Sequence, residues 1–384
     1  MPRLWGVRGG LVAAFAVLAL AACATTAPIK PTGPVAVGHG SVETTPTAPG
    51  SVVAFADLAG WSQEDHLGAL DAFRQGCGVA TDPAMAEVCR KARADRPADD
   101  AEARRFLEIN FRPEQIPGQG TLTAYFAPES AARMSRSAEF SAPLRGKPVD
   151  LVVLDLGQFE PGFAGKRVTG RVEGGQFVPY PDRAAIEAST ENRPLAWMRP
   201  EELFFLQIQG SGVLILPDGR RVRAAFAGSN GRPFVGIATA MRERGLLPDN
   251  NTSGDAIRTW LADHRGPEAD AIMRLNPRYV FFQTLADDGK QAVGAAGIPL
   301  PAGRAIAIDP SKHAMGELYW LDASAPKLSG AFPAYRRLAV ALDVGGAIKG
   351  DVRADLYVGT GAAAGAEAGR VRHELRLYRL VPRG

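Results

Sequence analysis

The sequence predicts a mainly β protein with added helices, built around one or two small β-barrels. Short apolar runs of strand length alternate with turn residues over most of the 384-residue chain. The 43 glycines and 29 prolines supply more breaks than a helical bundle tolerates. Helix-period apolar spacing is confined to residues 52–115 and to two later segments.

The first residues predict a leader and a tether ahead of the folded body. MPRLWGVRGG carries two arginines and no acid, and LVAAFAVLALAA follows as a twelve-residue apolar run. That run is too short to cross a bilayer and suits a signal-peptide core, assigned to residues 1–22. Leu20-Ala21-Ala22-Cys23 resembles the bacterial lipobox, in which the cysteine is lipidated and becomes the first mature residue. An ordinary signal peptide with a chance cysteine is the alternative. Ala24, where an aspartate would favour retention elsewhere, resembles outer-membrane lipoproteins. Residues 23–50 are rich in Pro, Thr and Gly and read as a tether, spanning roughly 30 Å as a loose coil.

Within residues 52–115, Trp61, His66, Leu67, Leu70 and Phe73 recur at helical spacing, and AEARRFLEINF repeats the pattern. Cys77 and Cys89 remain once Cys23 is set aside. In an oxidising compartment they could close a disulfide; two buried thiols are the other reading. From Gly120 the period changes to strands: TLTAYFAP, DLVVLDLGQF, RVEGGQFVPY and LFFLQIQGSGVLILPDGRRVRAAFAG, the last with a PDGR hairpin signal. Two helices are expected next, PFVGIATAMRERG and SGDAIRTWLADHRG, the second capped by Ser253 or Asp255. Strands return in YVFFQTL, RAIAIDP, ELYWLDA, RLAVALDV, RADLYVGTG and HELRLYRLV. Phe281 and Phe282 are expected in the core.

Composition and motifs exclude several function classes. A formal net charge of +3, with no basic stripe interleaved with aromatics, argues against nucleic acid. The five histidines form no HExxH or Cys/His cluster, so no zinc is expected. QGSGV is not a nucleophile elbow, and GGAIKGD is not a phosphate loop because its lysine precedes the glycine. No cofactor is expected. Carboxylates, amides and aromatics remain, and these suit sugars: aromatic faces stack on rings, amides bond hydroxyls, and a carboxylic acid protonates a glycosidic oxygen.

Apolar strands lead to the acids. RAIAID reaches Asp309, RLAVALD reaches Asp343, and Asp355 opens LYVGTG. Polar groups at strand ends are a way to build a site on a rigid scaffold, whereas an isolated aspartate more often ties its own turn. Asp351, beside Gly350, reads as such a turn residue.

AIDP, ALDVGGAIKGD, ADLYVGTG and the following GAEAG resemble the three-aspartate domain of the membrane-bound lytic murein transglycosylase A family. LTAYFAP, APLRGKPVDLV, RPLAWM, FFLQIQGSGVLILPDGRRVRAAFAGSNGRPF and NPRYVFFQ resemble the same family in the same order, so the likeness covers roughly residues 50–384. The family's Thr-Gly-Tyr-Tyr-Glu-Pro reads Thr-Ala-Tyr-Phe-Ala-Pro here, over residues 123–128. The resemblance implies a double-psi β-barrel of residues 51–129 and 271–384, with a second β-barrel-like domain, residues 130–270, inserted. It implies a groove for peptidoglycan glycan strands. It also implies cleavage of the β-1,4 bond between N-acetylmuramic acid and N-acetylglucosamine, leaving a 1,6-anhydro ring. The implied location is the periplasmic side of the outer membrane, anchored through Cys23, with other cell-wall enzymes as further candidate partners.

An ordinary glycosidase needs two carboxylates. Forming an anhydro ring needs no water, because the sugar's own C6 hydroxyl attacks C1, so one carboxyl group can serve as acid and then as base. Asp355 is the expected group, with a pKa well above the ordinary ~3.9. Asp343 is expected to supply negative charge or orient it, Asp309 to do likewise or brace a turn, and Lys349 to face solvent. Expected substrate contacts are Thr123, Tyr125, Phe126, Gln207, Gln209, Ser211 and Gly212. Gln207 and Gln209 alternate with Leu206, Ile208 and Gly210, which would place both amides on one face of a strand. A hydrolytic muramidase with Asp343 as second carboxylate, and a non-catalytic wall-binding lipoprotein, are the competing functions.

Overall fold

The computed structural model describes residues 50–163, 166–190, 193–248, 251–326 and 332–383. The expected signal peptide, Cys23 and all but the last tether residue lie outside them. Among the described residues no helix is long and apolar enough to cross a membrane.

Six strands close into a barrel. They are β1 (Gly120–Ala127), β2 (Ala305–Ile308), β3 (Leu318–Pro326), β4 (Ala334–Val344), β5 (Arg353–Thr360) and β6 (Arg372–Pro382). Their order around the barrel is β6-β3-β4-β2-β5-β1, with β1 returning to β6. β2 runs parallel to β4 and β5 parallel to β1; the other four pairs are antiparallel. Closure leaves these strands no open edge. Alternate residues fill the interior, among them Leu122, Ile306, Ile308, Leu321, Ala341, Leu356 and Leu377. At Gly120 any Cβ would fall 1.5 Å from the Val352 carbonyl oxygen, so only glycine lets β1 start this close to β5.

Helices α1 (His66–Gly76), α2 (Pro83–Ala94) and α3 (Asp100–Asn110) lie against the barrel's outside. An aspartate caps each: Asp65 accepts from the Gly68 N–H, Asp82 from Ala84 and Asp99 from Glu102. Their buried faces, with Leu70, Phe73, Val88 and Leu107, pack on Trp320, Val340 and Leu342 of the outer barrel face. Cys77 and Cys89 are bonded as a disulfide that ties the end of α1 to α2. Glu64 is buried and anchors this layer, accepting from Arg304 Nη1 at 2.8 Å and from the Leu338 N–H at 2.6 Å.

Between β1 and β2 the chain adds three smaller sheets and several helices. The four-stranded sheet runs Val280–Ala286, Arg221–Ser229, Gly212–Ile215, Glu129–Ala131, and its central hairpin turns at the predicted PDGR, with Gly219 at φ 81°. Phe281 and Phe282 are buried, as expected. Ser253 caps the helix Gly254–Asp263 through the Ala256 N–H.

One segment departs from its predicted form. LFFLQIQ is not a strand: α4 (Pro200–Gln209) is a helix. Pro200 occupies its first turn, Glu201 and Glu202 favour its positive end, and Gly210 ends it in the left-handed region at φ 85°. Leu203, Phe204, Leu206 and Gln207 are buried, an i, i+1, i+3, i+4 pattern that a short apolar run conceals.

Candidate active site

Strand register lines up the site on the outer face of the barrel. Thr123 on β1 pairs with Asp355 on β5, Asp355 with Ala307 on β2, and Ala307 with Asp343 on β4. Asp343 reaches this row through a β-bulge: the β2–β4 register shifts after Ile306, so that Asp343 rather than Leu342 stands opposite Ala307. Without the bulge, alternation would aim Asp343 into the barrel. Two strand spacings separate Asp343 from Asp355, about 10 Å, with the small Ala307 between them. Two residues further along β1 and β5, Tyr125 stands opposite Tyr357, ring centroids 5.3 Å apart.

Asp355 is half-buried, and its Oδ1 accepts a hydrogen bond from the Thr123 hydroxyl. Burial pushes its carboxyl above the ordinary aspartate range. The Thr123 bond and the Arg353 charge pull the other way, and the Asp343 charge adds to the rise. Asp343 is more fully committed. Its Oδ1 accepts from the Ala295 and Val344 N–H groups, each at 2.9 Å, and its Oδ2 accepts from the Tyr125 hydroxyl at 2.6 Å. Burial raises its pKa against those three bonds. The Tyr125 hydroxyl is pushed up in turn by burial and by Asp343, so it stays protonated and donates.

Asp309 makes no hydrogen bond to either member of the pair, and its contacts fit the turn-bracing alternative. It lies buried past the end of β2 and holds a turn: Oδ2 accepts from the Gly350 N–H at 2.9 Å, and Oδ1 from the Ser311 N–H and hydroxyl. Burial alone would raise its pKa, but these bonds and the Lys349 charge outweigh burial and hold it below the ordinary range. Lys349 is largely exposed, as expected, with its Nζ 3.3 Å from Asp309 Oδ1. Gly350, at φ 107°, adopts a backbone that favours glycine and so presents its N–H to Asp309.

The expected binding residues divide. Ser211 and Gly212 line a cavity of about 150 Å³, bounded also by Arg221, Arg223, Gln291 and Thr360. Tyr357 links it to the carboxylates: its hydroxyl donates to Gln291 Oε1 at 2.9 Å and lies 3.2 Å from Thr360 Oγ1. The half-buried Phe126 lies over Gly365, where a Cβ would meet its ring at 2.8 Å. Because α4 is a helix, the two glutamines do not form a shared sugar-facing surface. Gln207 is buried and donates to the Val280 carbonyl, whereas Gln209 Oε1 accepts from the Phe126 N–H at 3.1 Å, which fastens β1 to α4. Sequence reasoning missed Arg353, Ala307, Tyr357 and Gln291. Alternation along β5 was the available signal for Arg353 and Tyr357, each two residues from Asp355.

Residues 121–283 match the family described as MltA specific insert domain, and residues 304–381 match the 3D domain. A curated protein of Escherichia coli (strain K12), membrane-bound lytic murein transglycosylase A, is 31% identical over 270 residues, covering 68% of this chain and 65% of that protein. The match thus spans just under two thirds of the curated relative. A crystal structure of membrane-bound lytic murein transglycosylase from Agrobacterium tumefaciens is 31% identical with a TM-score of 0.74, covering 86% of this chain and 97% of that one. A crystal structure of E. coli MltA with bound chitohexaose is 26% identical with a TM-score of 0.63, covering 88% and 96%.

Proposed function

The chain belongs to the membrane-bound lytic murein transglycosylase A family, and from that premise we propose that it is a peptidoglycan lytic transglycosylase. It cleaves the β-1,4 bond between N-acetylmuramic acid and N-acetylglucosamine and leaves a 1,6-anhydromuramoyl end. A relative crystallised with chitohexaose supports a β-1,4 glycan as ligand. The family match over 121–283, which begins within β1, and the smaller sheets between β1 and β2 support the division into a barrel of 51–129 and 271–384 with 130–270 inserted. The membrane-bound names of the relatives support attachment to a membrane, and the lipobox-like run before Cys23 supports a lipid anchor there, on the periplasmic side of the outer membrane.

The observation that carries the mechanism is the unequal commitment of the two carboxylates. Asp343 has both oxygens engaged by Tyr125, Ala295 and Val344. Among the described residues Asp355 accepts only from Thr123, and burial raises its pKa. A hydrolase needs a second carboxylate to activate water. An anhydro-forming enzyme needs one group of raised pKa. Asp355 therefore protonates the leaving glycosidic oxygen, and the resulting carboxylate takes the proton from the C6 hydroxyl as that oxygen closes on C1. Asp343 sustains the negative potential that keeps Asp355 protonated at the start. Digestion of purified sacculi followed by mass spectrometry tests the reading. Products lighter by one water than hydrolysed muropeptides are expected. Fully hydrated ends would make the chain a muramidase, and binding without soluble products would make it a wall-binding lipoprotein.

A further inference from the structure

We propose that Arg353 is a positioning residue that, through Thr123, decides which oxygen of Asp355 carries the catalytic proton. The inference rests on the proposed role of Asp355. Arg353 lies two residues before Asp355 on β5 and therefore on the same face. Its Nη2 donates to Thr123 Oγ1 at 2.8 Å, while Nη1 donates to the carbonyls of Thr121 at 3.2 Å and Ala354 at 2.5 Å. Those two backbone bonds hold the guanidinium plane still.

A guanidinium has donors only. The Thr123 oxygen accepts from Arg353, which takes up one of its two lone pairs, and its own hydroxyl proton is directed to Asp355 Oδ1. Oδ1 is then an acceptor, and the acidic proton resides on Oδ2, which has no hydrogen-bond partner among the described residues. Without Arg353 the hydroxyl is free to rotate. A protonated Asp355 would then donate to Thr123, and its proton would point at protein instead of substrate. The guanidinium thus removes an unproductive arrangement of the same three groups. Its charge also favours the carboxylate form, which the second half of the reaction needs. On the neighbouring strands stand Asp343 across Ala307, Arg372 opposite Thr123 on β6, and Tyr125 and Tyr357, whose hydroxyls go to Asp343 and Gln291. Arg372 stands on the Arg353 side and Asp343 on the other, so the carboxyl sits between opposite charges.

The test combines Arg353→Met, Arg353→Lys, Thr123→Val and the Thr123→Val/Arg353→Met double variant. Asp355 is titrated in the intact protein by carbon-13 NMR of labelled aspartate, assigned by Asp355→Asn, and kcat and KM are measured on glycan strands. Arg353→Met is expected to lower kcat by about 10- to 100-fold, within the range of a general-acid contribution, while KM moves less than about 2-fold. The Asp355 titration should move upward, since the Arg353 charge that lowers it is gone. Arg353→Lys should return the titration toward its original position and recover part of kcat. The double variant should lose no more kcat than Thr123→Val alone, because Arg353 acts through that hydroxyl. An unmoved Asp355 titration in Arg353→Met, or additive losses in the double variant, would overturn the proposal. If Arg353→Met does not fold, the neutral Arg353→Gln decides: kcat and titration both equal to the parent's would overturn it. The titration needs no turnover, so it still reads the Arg353 effect if sacculus digestion gives no anhydro product.

Discussion

The Tyr125 hydroxyl donates to Asp343 Oδ2 at 2.6 Å, joining β1 to β4 across the two strands that lie between them. The path is open because β2 presents alanines there: Ala305 lies opposite Tyr357, and Ala307 opposite Asp355. Larger side chains at either position would stand between the tyrosine and the carboxylate. The bond also acts on charge, since it lowers a carboxyl that burial raises. Tyr125→Phe should therefore move Asp343 further up. Above the pH at which Asp343 ionises, the variant should lose about 1–2 kcal/mol of stability, the low end for a hydrogen bond to a charged group because the site is half-buried. Below it the loss should shrink. Urea unfolding at pH 4 and pH 8 measures both arms, and equal losses at the two pH values would count against an ionised Asp343.

Asp355→Asn removes the proposed acid and keeps its shape. Turnover of sacculi should fall by about 10²–10⁴-fold or more. Stability should respond in the other direction. A carboxyl whose folded pKa is raised binds more protons folded than unfolded, so the parent loses stability as pH rises from the unfolded pKa through the folded one. The asparagine variant escapes that loss. Its melting temperature should match the parent near pH 3.5 and equal or exceed it at pH 7. In the parent, the acid must be protonated to start the reaction, so kcat/KM should decline as pH rises through the raised Asp355 value. A lower melting temperature at pH 7 than at pH 3.5, relative to the parent, would mean that Asp355 braces the barrel.

Asp309 predicts the opposite pH trend. Its folded pKa is depressed, so its contribution is present above the unfolded value of ~3.9 and is lost as pH falls through the folded one. Asp309→Ala would strip partners from the Gly350 and Ser311 N–H groups and should cost about 1–3 kcal/mol at pH 7. The cost should diminish as pH falls below ~3.9 and through the depressed folded value, where the parent's carboxyl gains its proton. Because Asp309 makes no bond to Asp343 or Asp355, the pH dependence of kcat/KM in the folded fraction should keep its shape. Differential scanning calorimetry across pH 3–7, with a pH–rate profile on the same preparation, separates the two effects.

Much of this was legible because it follows from local rules. Ladders of alternating apolar residues gave the barrel strands, Ser253 ahead of a helical run gave that helix its cap, and strand ends gave Asp343 and Asp355 as candidates. The pairing of those two could not be read, because it depends on a bulge that re-aims Asp343 and on a long-range register through Ala307. Asp309 resembled them in sequence, since it too follows an apolar strand; only the fold shows its oxygens filled by Ser311 and Gly350. The misread segment was LFFLQIQ, whose length and β-favouring residues suit a strand and a buried helix equally. Its ends held the missing information. Pro200-Glu201-Glu202 opens a helix and Gly210 closes one, and those signals outweigh two glutamines in alternation.

The two glutamines give that helix a functional test. On a strand, Gln207 and Gln209 would face the same ligand, and losing either would weaken substrate binding alike. On α4 they act differently. Gln207 is buried against the Val280 carbonyl, so Gln207→Leu should cost about 1–2 kcal/mol of stability and leave KM within about 2-fold. Gln209 holds the Phe126 N–H near the end of β1, next to the strand residues that carry Thr123 and Tyr125. Gln209→Leu frees that N–H and loosens the aromatic ring lying over Gly365. Its expected signature is a rise in KM of several-fold with a smaller change in melting temperature. Steady-state kinetics on glycan strands and thermal unfolding of both variants make the comparison. Equal rises in KM with unchanged stability would return both amides to a common substrate-facing surface.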